Sequence, residues 1–99
     1  MRELSTIDVC TMASGFELKL HVHKLQGEQP GPRLGIMAVE HGDEILPIEV
    51  IRQVLDQIDP AKLKGSIWAL PVSNPHAFEM LTRNNPIDML DLVRWYPGT

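Results

Sequence analysis

The apolar run Leu34-Gly35-Ile36-Met37-Ala38-Val39 constrains this chain more than any other segment, because of what stands on either side of it. Before it, Gly27-Glu28-Gln29-Pro30-Gly31-Pro32 is too dense in turn formers to continue a regular element. After it, His41-Gly42-Asp43-Glu44 leads into Ile45, Ile48, Ile51, Leu55 and Ile58, apolar residues spaced at three and four. A near-continuous apolar stretch of strand length suits a strand buried on both faces, so residues 33–40 read as that strand and residues 45–58 as an amphipathic helix. Asp43 is placed as the helix N-cap and Glu44 on its opening turn. Pro47 falls in the first turn, where a missing N–H costs little, and Pro60 ends the helix.

Two further strands frame this unit. Residues 16–25 alternate, with Phe16, Leu18, Leu20 and Val22 on one face and Glu17, Lys19, His21 and His23 on the other, the period of a half-buried strand. Residues 66–72 form a third strand, with Pro71 marking its end or an edge position. Strand, helix, strand in this order is a βαβ unit with a parallel pair and a right-handed crossover. Asn74-Pro75 has the form of an N-cap and first helical residue opening a short helix through Thr82. Beyond Asn84-Asn85-Pro86 the pattern weakens, and Pro97-Gly98 closes in a turn. The expected fold is α/β: a mixed sheet of three to four strands with flanking helices, in one domain over residues 1–99, without repeats or internal boundary.

Composition narrows the function. Hydrophobic residues at 43% and charged residues at 22% describe an ordinary globular chain. The 13 acidic and 9 basic residues give a formal charge of −4 with no basic cluster, so nucleic acid is not an expected partner. No stretch approaches the roughly 20 apolar residues of a membrane span, and residues 1–8 interrupt any apolar run within a few positions, so neither secretion nor membrane insertion is expected. Cys10 is the single cysteine, so no intrachain disulfide can form; a buried inert thiol and a cytoplasmic location are expected.

The chemistry concentrates at His41-Gly42-Asp43-Glu44. Ligands of α/β sheets gather beyond the carboxyl ends of the strands, and a strand that delivers a histidine into a glycine turn, with a carboxylate three residues on, can aim both at one metal ion; from these residues alone a capping or solvated pair is the competing and more ordinary reading. The second such spacing, His76 to Glu79, has no strand leading into it and reads as surface or packing. His21 and His23 read as a polar strand face, and Trp68, Trp95 and Tyr96 as core or rim, without basic residues interleaved. No glycine-rich phosphate loop or serine nucleophile elbow is present. Arg83 and Arg94 each lie near a turn from which a guanidinium can reach a carboxylate, although surface ion pairs are the better account of isolated arginines.

Read in order, Pro30-Gly31-Pro32, His41-Gly42-Asp43-Glu44, Ser73-Asn74-Pro75-His76-Ala77-Phe78, Arg83 and Asp91-Leu92-Val93-Arg94-Trp95-Tyr96-Pro97-Gly98 resemble the succinylglutamate desuccinylase and aspartoacylase family of the zinc carboxypeptidase superfamily. The resemblance implies that His41 and Glu44 are the first two zinc ligands, and that Arg83 and Arg94 contact the substrate. It implies a zinc-dependent hydrolase that deacylates N-acyl amino acids or related small amides and esters, with Zn2+ as cofactor. Val93 stands where the family has asparagine, and an isopropyl group makes none of an amide's hydrogen bonds. The family's third zinc ligand and catalytic glutamate would fall beyond Thr99, so the chain is expected to be the N-terminal portion of such a domain, inactive or weakly active alone. His21, His23, His76, a missing C-terminal segment or a second copy of the chain would have to complete the metal site. The other reading is a truncated remnant or interaction module that binds no metal.

Overall fold

The computed structural model describes residues 2–98. It comprises β1 (Arg2–Thr11), β2 (Glu17–Gln26), β3 (Gln29–Met37), α1 (Leu46–Gln57), β4 (Lys64–Leu70), α2 (Pro75–Met80) and a 3-10 turn at Leu92–Trp95. The four strands form one mixed sheet in the order β1-β2-β4-β3. β1 and β2 are antiparallel, β2 and β4 antiparallel, and β3 and β4 parallel, with α1 as the crossover between them. The expected α/β arrangement is therefore present, with the βαβ unit forming one side of the sheet.

β1 is the fourth strand, and sequence periodicity gave it no place. It is an edge strand exposed along nearly its whole length, so no buried face imprints an alternation on residues 2–11. A bulge at Val9 interrupts its register with β2, and Gly15, with φ +90°, closes the hairpin turn. Cys10 lies on this strand and is exposed, contrary to the buried thiol expected.

β2 is covered more than its sequence implies. Leu25 lies directly opposite Ile67, and His23 opposite Ala69; cross-strand partners share a face, so His21, His23 and Leu25 belong to the α1 side of the sheet. Leu25, Ile51, Leu55, Ile67 and Ala69 make the main core cluster there. Leu18 and Val22 are buried on the other face.

β3 departs from the expectation of a strand buried on both faces. It is an edge strand, and Leu34 and Met37 are 57% and 51% exposed. It also begins within the turn-rich stretch, at Gln29. Pairing with β4 skips from Gln29 to Arg33, so Pro30 and Pro32 fall where an edge strand tolerates proline. On the face opposite α1, Trp68 stands between two cations, with Lys24 Nζ 4.1 Å and Arg33 Cζ 3.9 Å from the ring centroid. Sequence order separates these basic residues from Trp68; strand pairing interleaves them.

α1 starts later than its apolar spacing predicts. Its first residue is Leu46, its N-cap is Ile45, and no side chain caps it. Asp43 is thus not the cap, and Glu44 precedes the helix. Pro47 does lie in the first turn. α2 agrees with its sequence at the N-terminus: Asn74 caps it, accepting from the Ala77 amide. It ends at Met80, and Leu81 takes the left-handed conformation that closes a helix.

Candidate functional site

The site begins where β3 runs out. Ala38 extends the parallel pairing by donating to Leu70 O, and the chain then kinks at Val39, whose φ of +51° is left-handed. For a buried β-branched residue that conformation costs on the order of 1–3 kcal/mol. A turn follows in which Glu44 N donates to His41 O at 3.2 Å. Gly42 is obligatory there, because a Cβ would overlap the Ala77 carbonyl of α2. This backbone turn, and not a first helical turn, brings Glu44 to His41.

The two side chains converge. His41 Nδ1 lies 3.1 Å from Glu44 Oε2, and His41 Nε2 lies 2.9 Å from Asp91 Oδ1. His41 and Asp91 are only 12% and 13% exposed, whereas Glu44 is 62% exposed and faces solvent. Asp91 also accepts the Val93 amide at 3.1 Å, capping the 3-10 turn. Its other oxygen lies 3.7 Å from an Arg83 guanidinium nitrogen and 3.6 Å from Arg94 Nε. Glu44, His41, Asp91 and the two arginines thus form one continuous polar chain, and all four residues singled out by sequence lie along it.

Its electrostatics follow from those contacts. Burial by itself would raise the Asp91 carboxyl. The hydrogen bond with His41, the Val93 amide and the charges of His41 and Arg83 outweigh burial and hold it below the ordinary carboxylate range. Tyr96 is pushed up by burial first and then by the charge and hydrogen bond of Glu40, which ties the C-terminal segment to the exit of β3. Asp91 is the member that residue-by-residue reasoning missed as a site residue, although it opens the Asp91-Leu92-Val93-Arg94 string. Val93 takes part through its backbone amide, so the loss of a family asparagine leaves that hydrogen bond intact.

The imidazole places a strict demand on its surroundings. A neutral ring has one N–H and one lone pair, yet His41 meets a carboxylate oxygen at each nitrogen. If Nε2 donates to Asp91, the Nδ1 lone pair faces Glu44 Oε2, and only a second proton or a cation between them turns repulsion into attraction. Donor atoms sharing one tetrahedral zinc, at about 2.0–2.2 Å each, lie roughly 3.3 Å apart, close to the 3.1 Å seen here. The pair therefore fits two positions around a metal ion.

The other histidines do not join it. Among the described residues no group of three or more His, Cys, Asp and Glu side chains is arranged to hold a metal ion. His21 and His23 line a separate cleft of about 620 Å³ between β2, α1 and α2. His76 borders a smaller one of about 220 Å³ with Ser73, Asn74 and Leu92. Neither cleft is lined by His41 or Glu44.

Comparison with known proteins places the fold and the family. The model of the succinylglutamate desuccinylase/aspartoacylase catalytic domain matches residues 30–99. An aspartoacylase family protein from Mesorhizobium loti is 31% identical, with a TM-score of 0.79 over 99% of this chain and 31% of that one. A succinylglutamate desuccinylase/aspartoacylase family protein from Shewanella amazonensis is 28% identical, with a TM-score of 0.83 over 98% of this chain and 28% of that one. The succinylglutamate desuccinylase/aspartoacylase of Rhodobacter sphaeroides, at 22% identity and a TM-score of 0.84, shares the fold over 99% of this chain and 31% of its own. No curated protein matches. The chain spans less than a third of the length of these solved relatives. By the extent of the domain match and of the shared fold, it belongs to the succinylglutamate desuccinylase/aspartoacylase catalytic-domain family.

Proposed function

We propose that this chain carries the first part of a zinc-dependent deacylase site, with His41 and Glu44 as two metal ligands and Asp91 holding the His41 ring. Its substrates are N-acyl amino acids or related small amides and esters. The supporting observation is the His41 imidazole held between two carboxylates, one of them solvent-exposed and 3.1 Å from Nδ1. Asp91 fixes the ring through Nε2, so Nδ1 is the nitrogen left for the metal, the usual division of labour in a carboxylate–histidine–zinc arrangement. When bound, the zinc supplies a Lewis acid for the scissile carbonyl and an activated water.

Arg83 and Arg94 bring positive charge to the same place. Both now share Asp91 Oδ2 at long range, 56% and 78% exposed, so either guanidinium is free to turn toward an incoming carboxylate and bind it as a fork. The third protein ligand and the general base come from outside residues 1–99, which form part of the catalytic domain, and turnover by these residues alone is expected to be negligible.

Zinc titration of the purified chain tests the ligand assignment. Weak uptake, as two of the usual three protein ligands allow, that is lost in His41→Ala and weakened about 10- to 100-fold further in Asp91→Asn, is the expected result. Absence of any His41-dependent uptake even at high zinc would favour the second reading, a metal-free interaction module.

A further inference from the structure

The exit of β3 is strained, and one buried amide spans the strain. Val39, 4% exposed, holds φ +51°, a left-handed conformation that a β-branched residue keeps only where its surroundings over-determine it. Those surroundings are Ser73 and Asn74. Ser73 N donates to Ala38 O at 2.9 Å, and Asn74 N donates to Val39 O at 3.1 Å. The Asn74 side chain then donates from Nδ2 to Glu40 O at 3.2 Å, while its Oδ1 accepts the Ala77 amide at 3.4 Å. Three consecutive carbonyls leading to His41 are thereby held by two residues. On the other side of His41, Gly42 lies against the Ala77 backbone, so both neighbours of the histidine are fixed by the first turn of α2.

We propose that Asn74 is a positioning residue for His41, holding the kinked strand exit so that the imidazole points at Glu44 and Asp91. The position requires a donor and an acceptor in one short side chain, and among residues of that length only asparagine has both in an amide. Aspartate separates the two duties. It caps a helix as well as asparagine does, but it only accepts, and it sets a negative charge against the Glu40 carbonyl. Serine likewise caps without supplying the amide N–H.

The test compares the wild-type chain with Asn74→Asp at one fixed alkaline pH, using the ring-nitrogen NMR shifts of His41 and titration with Zn2+ alone. The expected result is a cooperative melt near that of wild type, His41 ring nitrogens displaced toward those of a freely solvated histidine, and zinc affinity lower by about tenfold or more. A folded variant with unchanged His41 resonances and unchanged zinc affinity overturns the proposal. Should Asn74→Asp not melt cooperatively, Asn74→Ser carries the same comparison; loss of folding in both assigns Asn74 to the fold alone and overturns it as well. The inference rests on the zinc reading only in its affinity arm. A wild-type chain that takes up no zinc removes that reading, while displaced His41 ring nitrogens in the variant still uphold the positioning role.

Discussion

His23 sits on the face of β2 that α1 covers, and burial is the chief reason its imidazole titrates below the usual histidine range, with the charges of Arg2 and His21 adding to it. The unfolded chain therefore takes up this proton first. Stability is complete above about 6.5, the ordinary value, and falls as pH drops toward the lower folded value. Melting temperatures followed downward from neutral pH should decline less in His23→Gln than in wild type. Glu49 acts in a lower window. Its exposed carboxylate is held at about 2 by the Arg52 hydrogen bond first and that of Gln53 second, so its contribution is present above the ordinary 4.5 and lost on acidification toward 2. Glu49→Gln should flatten that acid limb, and added salt should shrink the difference, as for any solvated ion pair. At this scale the sequence revealed His41 and Glu44 because three positions separate them. Asp91 lies fifty positions from its histidine, a contact that no local spacing encodes.

Elements were legible in proportion to how one-sidedly they are buried. α1 packs Ile51 and Leu55 into the core, 6% and 3% exposed, and its spacing at three and four declared it. Leu55→Ala should cost about 2–5 kcal/mol in urea unfolding, whereas Val50→Ala, on a side of the same helix that is 54% exposed, should stay within about 0.5 kcal/mol. β1 has no buried face and left no pattern. The start of α1 differs from its sequence signal because Asp43 and Glu44 have capping character, yet the close approach of Gly42 to α2 commits them to a turn of their own. Residues 82–90 were illegible for another reason. Side chains shape them: Asn84 Nδ2 donates to Met89 O, Asn85 Oδ1 accepts Ile87 N, and Asp88 Oδ1 accepts Leu90 N. Such asparagine and aspartate turns need no apolar period.

The molecule as a whole is longer than it is thick, 43 × 26 × 25 Å, with a radius of gyration of 15.0 Å against about 13 Å for a compact domain of 100 residues. Among the described residues no large side chain is completely buried, and Leu34, Met37, Leu46, Val50 and Val54 are all exposed. An open strand edge beside exposed apolar side chains invites association. Sedimentation of the chain should show mass rising with concentration, and Leu34→Lys with Met37→Lys should shift it toward monomer without loss of helical signal. The carboxylate of Asp91 has a consequence at this scale too. By serving the Val93 amide and the His41 ring with the same oxygen, it couples the 3-10 turn at Leu92–Trp95 to the histidine at the exit of β3. Under the proposed zinc reading, cation affinity is a gauge of how fully that turn has docked, and any agent that peels it away should weaken metal uptake before it melts the sheet.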